Sequence, residues 1–64
     1  MTNERAMRFG YLLSEIEMHA KALLAGEAVD IVLSLMQMQD YLAEAREIAY
    51  EVSREALDKV VEKQ

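Results

Sequence analysis

Apolar residues recur along most of this chain at steps of three and four, the period of an α-helix. In the first third the main series is Phe9, Leu13, Ile16, Ala20 and Leu23. A second series, Met7, Tyr11, Met18 and Ala22, falls on nearly the opposite side of the same helix. An ordinary surface helix carries one apolar stripe, so two opposed stripes predict a helix held between two partners. The rest of the chain carries a longer series: Ala28, Ile31, Leu35, Met38, Leu42, Ala45, Ala49, Val52 and Ala56. It alternates three and four as a coiled-coil seam does. Beside it stand Met36, Ala43, Tyr50 and Leu57, each seven apart, followed by Val61. From Ala28 to Ala43 the pattern is apolar almost all round, which predicts burial. Beyond Ala43 the seam turns to alanine, which lets a partner come close.

The breakers fall where this pattern needs them. Thr2 or Asn3 can cap the first helix by accepting from an unpaired backbone N–H, and Glu4 suits the positive end of the dipole. Gly26 is placed to take the left-handed position after a helix end. The predicted helix 1 covers about residues 3–25, the turn 26–27, and helix 2 about 28–62. The stretch Ala28–Lys63 contains neither Gly nor Pro, so one continuous helix is expected, with a break near Gln37–Asp40 as the rival. Gly10, inside helix 1, marks a weak spot or a close helix crossing. The pairs Glu4/Arg8 and Glu17/Lys21 stand in the favourable i,i+4 order. So short a turn sends helix 2 back antiparallel. The fold expected is therefore an all-α antiparallel two-helix hairpin forming one domain. Helix 1 can cover helix 2 only to about Tyr50, leaving Val52, Ala56, Leu57, Val60 and Val61 projecting.

Length sharpens the question of partners. A chain of 64 residues is at the margin of burying enough surface to stabilise itself, and such chains recruit disulfides, a metal or further chains. With no Cys and one His, oligomerisation is the expected supplement. A dimer closing into a four-helix bundle is the simplest form. Its interface is predicted at Leu35, Met38, Leu42, Ala45, Ala49, Val52 and Ala56, with Met7, Tyr11 and Met18 from helix 1. The opening residues lack the basic and apolar regions of a signal peptide. Val29–Met38 is too short to span a bilayer. A cytoplasmic protein with no membrane contact is expected.

The formal charge of −5 is unevenly spread. Up to Gly26, Glu4, Glu15 and Glu17 offset Arg5, Arg8 and Lys21, so the whole excess lies in helix 2. There Asp40, Glu44, Glu47, Glu51, Glu55, Asp58 and Glu62 recur at steps of three and four, forming one acidic ridge. Such a surface repels phosphate backbones, so no direct DNA binding is expected. It suits a basic protein partner, or it is simply the solvated face opposite the seam.

Candidate chemistry is sparse. The pairs Glu44-x-x-Glu47 and Glu55-x-x-Asp58 resemble the paired-carboxylate metal motifs of all-α nucleotide pyrophosphohydrolases of the MazG type. That resemblance implies a metal-dependent hydrolase, and on a single helix its carboxylates meet only across an oligomer interface. Glu15 and His19, four apart, can share a metal within a bundle, although no Glu-x-x-His di-iron motif is present. Met7, Met18, Met36 and Met38 form an adaptable apolar set, as core or as a peptide groove. No nucleophile triad can be built on one His, and no Gly-rich phosphate loop occurs. The reading that follows is a small acidic, oligomeric, non-enzymatic interaction or regulatory module with no cofactor. The alternatives are the hydrolase and an RNA-binding bundle using Arg5 and Arg8 on helix 1.

Overall fold

The computed structural model of the protein describes residues 2–62, and their side chains as far as residue 61. Two helices account for nearly all of it: α1, Asn3–Leu24, and α2, Ile31–Glu62. No strand occurs among the described residues, and the all-α hairpin expected from the pattern is the architecture observed.

Both ends of α1 are closed by the groups placed there. The Thr2 hydroxyl accepts from the Arg5 N–H at 3.2 Å, satisfying one of the donors that a helix start leaves unpaired. At the other end the Gly26 N–H donates to the Leu23 carbonyl at 3.2 Å, and the Glu27 N–H donates to the Ala22 carbonyl at 2.9 Å. This crossed pair is a Schellman motif. It needs a left-handed residue at its centre, and Gly26 supplies it with φ +72°. Without a Cβ the glycine enters that region at no steric cost.

The start of α2 differs from the sequence expectation. It begins at Ile31 rather than near Ala28 because Asp30 caps it: the Asp30 carboxylate accepts from the Leu33 N–H at 3.0 Å. The Asp30 carbonyl also takes the first helical bond, from the Ser34 N–H at 3.0 Å. The connection therefore runs from Ala25 to Asp30 instead of occupying residues 26–27, and Ala28 stands outside the helix. From Ile31 the helix is unbroken to Glu62, so no interruption falls at Gln37–Asp40.

The helices meet along series slightly rotated from the predicted ones. On α1 the wholly or partly covered positions are Arg5, Phe9, Leu12, Glu15, Ile16, His19, Ala20, Ala22 and Leu23. Leu12 is 1% exposed while Leu13 is 46% exposed, so Leu12 takes the place that the predicted stripe gave to Leu13. On α2 the covered series is Ser34, Met38, Tyr41, Ala45, Ile48 and Val52, with Glu44 partly covered beside it. Of the predicted seam it keeps Met38, Ala45 and Val52, and leaves Ile31, Leu35, Leu42, Ala49 and Ala56 exposed. Val52 is half-buried rather than projecting, because the later start of α2 carries α1 about three residues further along it. Among the described residues only Leu12 and Ala45 are buried.

The result is a rod. Its principal extents are 53 × 19 × 15 Å and its radius of gyration is 15.5 Å, against about 11 Å for a compact chain of this length. A Cβ built at Gly10 meets nothing within 4 Å. Within the hairpin, then, Gly10 is a weak helical position and not a point of close crossing.

Candidate functional site

Two features of the surface concentrate side-chain chemistry. The first lies along one edge of the hairpin, where basic residues of α1 meet the acids of α2. The Arg8 guanidinium forks onto Glu44, with Nε to Oε2 at 2.7 Å and Nη2 to Oε1 at 3.0 Å. Its face also lies over the Tyr11 ring, 5.2 Å from the centroid, a cation–π arrangement. Arg5 binds Glu55 and reaches Glu51 at 3.4 Å. Arg8 is thus committed across the hairpin, and the expected Glu4/Arg8 pair does not form. Glu17 and Lys21 do pair as expected, at 2.8 Å.

Next to Arg8 the aromatic rings join. Tyr11 meets Tyr41 edge-on with centroids 6.4 Å apart, and His19 stacks on Tyr41 at 5.9 Å. Desolvation raises the Tyr41 phenol above its usual range, helped by Tyr11 and Glu15. The hydrogen bond from Arg8 holds the Glu44 carboxyl below its ordinary value, and that from Arg5 does the same for Glu55.

A carboxylate whose pKa is depressed by folding stabilises the fold above its unfolded pKa and loses that contribution as pH falls through the folded value. Acidification below about pH 4 is therefore expected to lower the melting temperature. The double variant Glu44→Gln/Glu55→Gln should melt lower than the parent at neutral pH and converge on it in acid. The pairs are exposed, so the difference should be modest and shrink in salt. Circular-dichroism melts at pH 7 and pH 3 measure both, and identical pH profiles would show that the pairs contribute nothing to the hairpin.

This geometry changes the predicted ridge. Glu44, Glu51 and Glu55 are engaged by Arg5 and Arg8, so part of the ridge flanks the helix–helix contact and does not stand opposite it. Asp40, Glu47 and Asp58 are exposed and make no ion pair among the described residues. The Glu62 side chain lies outside the described residues. Of the two carboxylate pairs that resemble metal motifs, Glu44 and Glu55 already hold guanidinium groups. Both pairs project from one helix, roughly 16 Å apart along its axis. Among the described residues no three His, Cys, Asp or Glu side chains stand together as a metal group would require, and no pocket is enclosed. Glu15 and His19 remain neighbours, with the His19 ring engaged by Tyr41. Arg5 and Arg8, on which an RNA-facing surface would depend, are neutralised by the same carboxylates.

The second feature is apolar. Met7, Tyr11 and Met18 on α1 and Leu35 and Leu42 on α2 are all exposed, as are the small side chains of Ala49 and Ala56. Further apolar side chains stand open at both ends, among them Leu24, Val29 and Val32 near the turn and Leu57, Val60 and Val61 at the far end of α2. Periodicity located most of this surface. What it could not give is which of two adjacent faces of α2 the first helix would take. No helix among the described residues is long and apolar enough to cross a membrane. No family model, curated protein or solved structure matches the chain.

Proposed function

We propose that the protein is a self-associating helical interaction module, acting as an adaptor or regulatory protein rather than an enzyme, and that two hairpins close into a four-helix bundle. The observation that carries this reading is the accessible surface. At 5325 Å² it exceeds by about 1,100 Å² the value, roughly 4,200 Å², of a compact monomer of this mass. Among the described residues sixteen large hydrophobic side chains are exposed, whereas monomeric proteins rarely expose large apolar patches. A standard protein interface covers about 800 Å² on each partner, so a second copy matches the excess in scale. The committed arginines and the absence of an enclosed pocket among the described residues favour a surface role. A ridge partly neutralised from within leaves Asp40, Glu47 and Asp58 as its free charges among the described residues.

Sedimentation equilibrium at micromolar concentration tests the proposal. The expected result is twice the 7.3 kDa chain mass. A monomer that keeps its helicity at that concentration would overturn it.

A further inference from the structure

We infer that the side of the hairpin opposite the Arg8–Glu44 contact receives the same side of a second copy, with Leu13 of α1 and Leu42 of α2 near its centre. This rests on the self-association just proposed and adds to it the face and the residues that make it.

Each helix has a direction covered by its neighbour and a direction that its apolar stripe follows, and the two do not coincide. On α1 the stripe Phe9, Leu13, Ile16, Ala20 and Leu23 lies roughly 50° round from the middle of the covered positions, at about 100° per residue. On α2 the series from Ile31 through Leu42 to Ala56 lies roughly 60° round from the middle of its own covered positions. Arg8 and Glu44 lie off the same two midlines in the other sense, and they meet along one edge of the hairpin. Both stripes are therefore rotated toward the opposite edge, by similar amounts.

A hairpin that satisfied its apolar surface alone would aim each stripe straight at the other helix. In a four-helix bundle each stripe aims at the bundle axis instead. With the helices at the corners of a square, that axis lies about 45° from the line to either neighbour. The rotation found on both helices is close to that value, so the other half of the core belongs on this side.

The residues on this side fit such a use. Phe9, Leu13 and Ala20 supply it from α1, and Leu35, Leu42 and Ala49 from α2. The contacts of Arg8 with Glu44 and of Tyr11 with Tyr41 set Leu13 within about a turn of Leu42 along the rod. Outside the helix–helix contact, Ser53 at the α2 margin is its one polar residue. The first charges past its outer margins are Glu17 on α1 and Arg46 on α2. A face without charge meets a copy of itself with no like-charge repulsion and no buried ion to desolvate. The shared length of about 33 Å and the 19 Å breadth of the hairpin outline roughly 600 Å². That is the scale one partner contributes to a standard interface. Met7, Tyr11 and Met18, expected from the sequence to join the interface, stand on the far side of α1 and take no part in this face.

Charges placed on and off the face test it, by sedimentation equilibrium with circular dichroism on the same samples. Leu13→Glu and Leu42→Glu alter side chains that are 46% and 44% exposed, and Met18→Glu and Met36→Glu alter far-side positions that are 54% and 56% exposed. The two face variants should associate at least about a hundredfold more weakly, and the two far-side variants as the parent does. A dimeric parent whose face variants assemble undiminished overturns the face and leaves self-association standing. A second measurement stands even if the face variants unfold, because the chain contains no cysteine. Leu13→Cys and Met36→Cys are alkylated with iodoacetamide, each rate taken relative to that of the same variant in denaturant. Pairing through the face should slow position 13 roughly tenfold or more relative to position 36. Equal rates in a dimer overturn the face. A monomeric parent overturns both readings, and one that partitions onto phosphatidylcholine vesicles assigns the face to a lipid surface instead.

Discussion

Leu12→Ala is expected to unfold the hairpin or bring it close to unfolding. Among the described residues Leu12 is the one large side chain that is fully buried, and it faces α2 from the middle of α1. Truncating a buried leucine costs about 2–5 kcal/mol, from lost transfer energy and the cavity left behind. A chain of this length is expected to have only roughly 3–10 kcal/mol of stability in total. For so small a domain, the loss corresponds to a fall of roughly 10–30 °C in melting temperature. Far-UV circular dichroism against temperature measures it. A fall of less than about 5 °C would mean that Leu12 does not sit at the centre of the core. Leu13→Ala, one residue along and exposed, is the control that leaves the hairpin's own packing intact.

The second large effect separates assembly from folding. Ala49 is exposed in the hairpin while Ala45, four residues earlier, is 3% exposed. Glutamate is a good helix former, so Ala49→Glu should leave the helix content of the hairpin unchanged. In the proposed bundle, however, it places a carboxylate in the contact between the copies, and by symmetry it does so twice. An unpaired charge in such a contact costs several kcal/mol, which weakens association at least about a hundredfold. Sedimentation should show a monomer where the parent is dimeric, with the helical signal retained. Ala45→Glu should instead abolish folding, because that carboxylate would lie between α1 and α2. An Ala49→Glu protein that assembles as the parent does would remove Ala49 from the interface.

Much of this fold was legible in the order of residues. The breaker-free run marked α2, Thr2 marked the start of α1, and Gly26 marked its end, because each acts through local backbone chemistry. The angular facing of the helices was less accessible. Leu12 and Leu13 are equally apolar, and only the packing of α2 decides which of them turns inward. The same ambiguity moved the covered face of α2 from Leu35, Leu42 and Ala49 to Ser34, Tyr41 and Ile48, because that helix is apolar over so much of its circumference. Asp30 lay inside an apolar run where its capping role was masked by Val29 and Ile31. Arg8 had a local acid four residues before it, and its bond to Glu44 appears only once the register of the hairpin is known. That register was available in principle: an antiparallel return after a short connection brings Arg5 and Arg8 beside the later carboxylates of α2.

The salt bridges along that edge also limit what they can specify. Acids recur on α2 at nearly every turn, and Glu51 stands one heptad beyond Glu44 on nearly the same side. If α2 slid past α1 by two turns, Arg8 would exchange one carboxylate for another, and apolar residues seven apart would again face each other. Neither the charges nor the stripes distinguish sharply between the aligned and the slipped hairpin. The closed end does, because the Schellman turn at Gly26 and the Asp30 cap fix how many residues lie between the helices. The hairpin is indexed from its loop, as a zip is from its stop. A lengthened connection would therefore give a population of staggered hairpins with the same helix content but different overhangs.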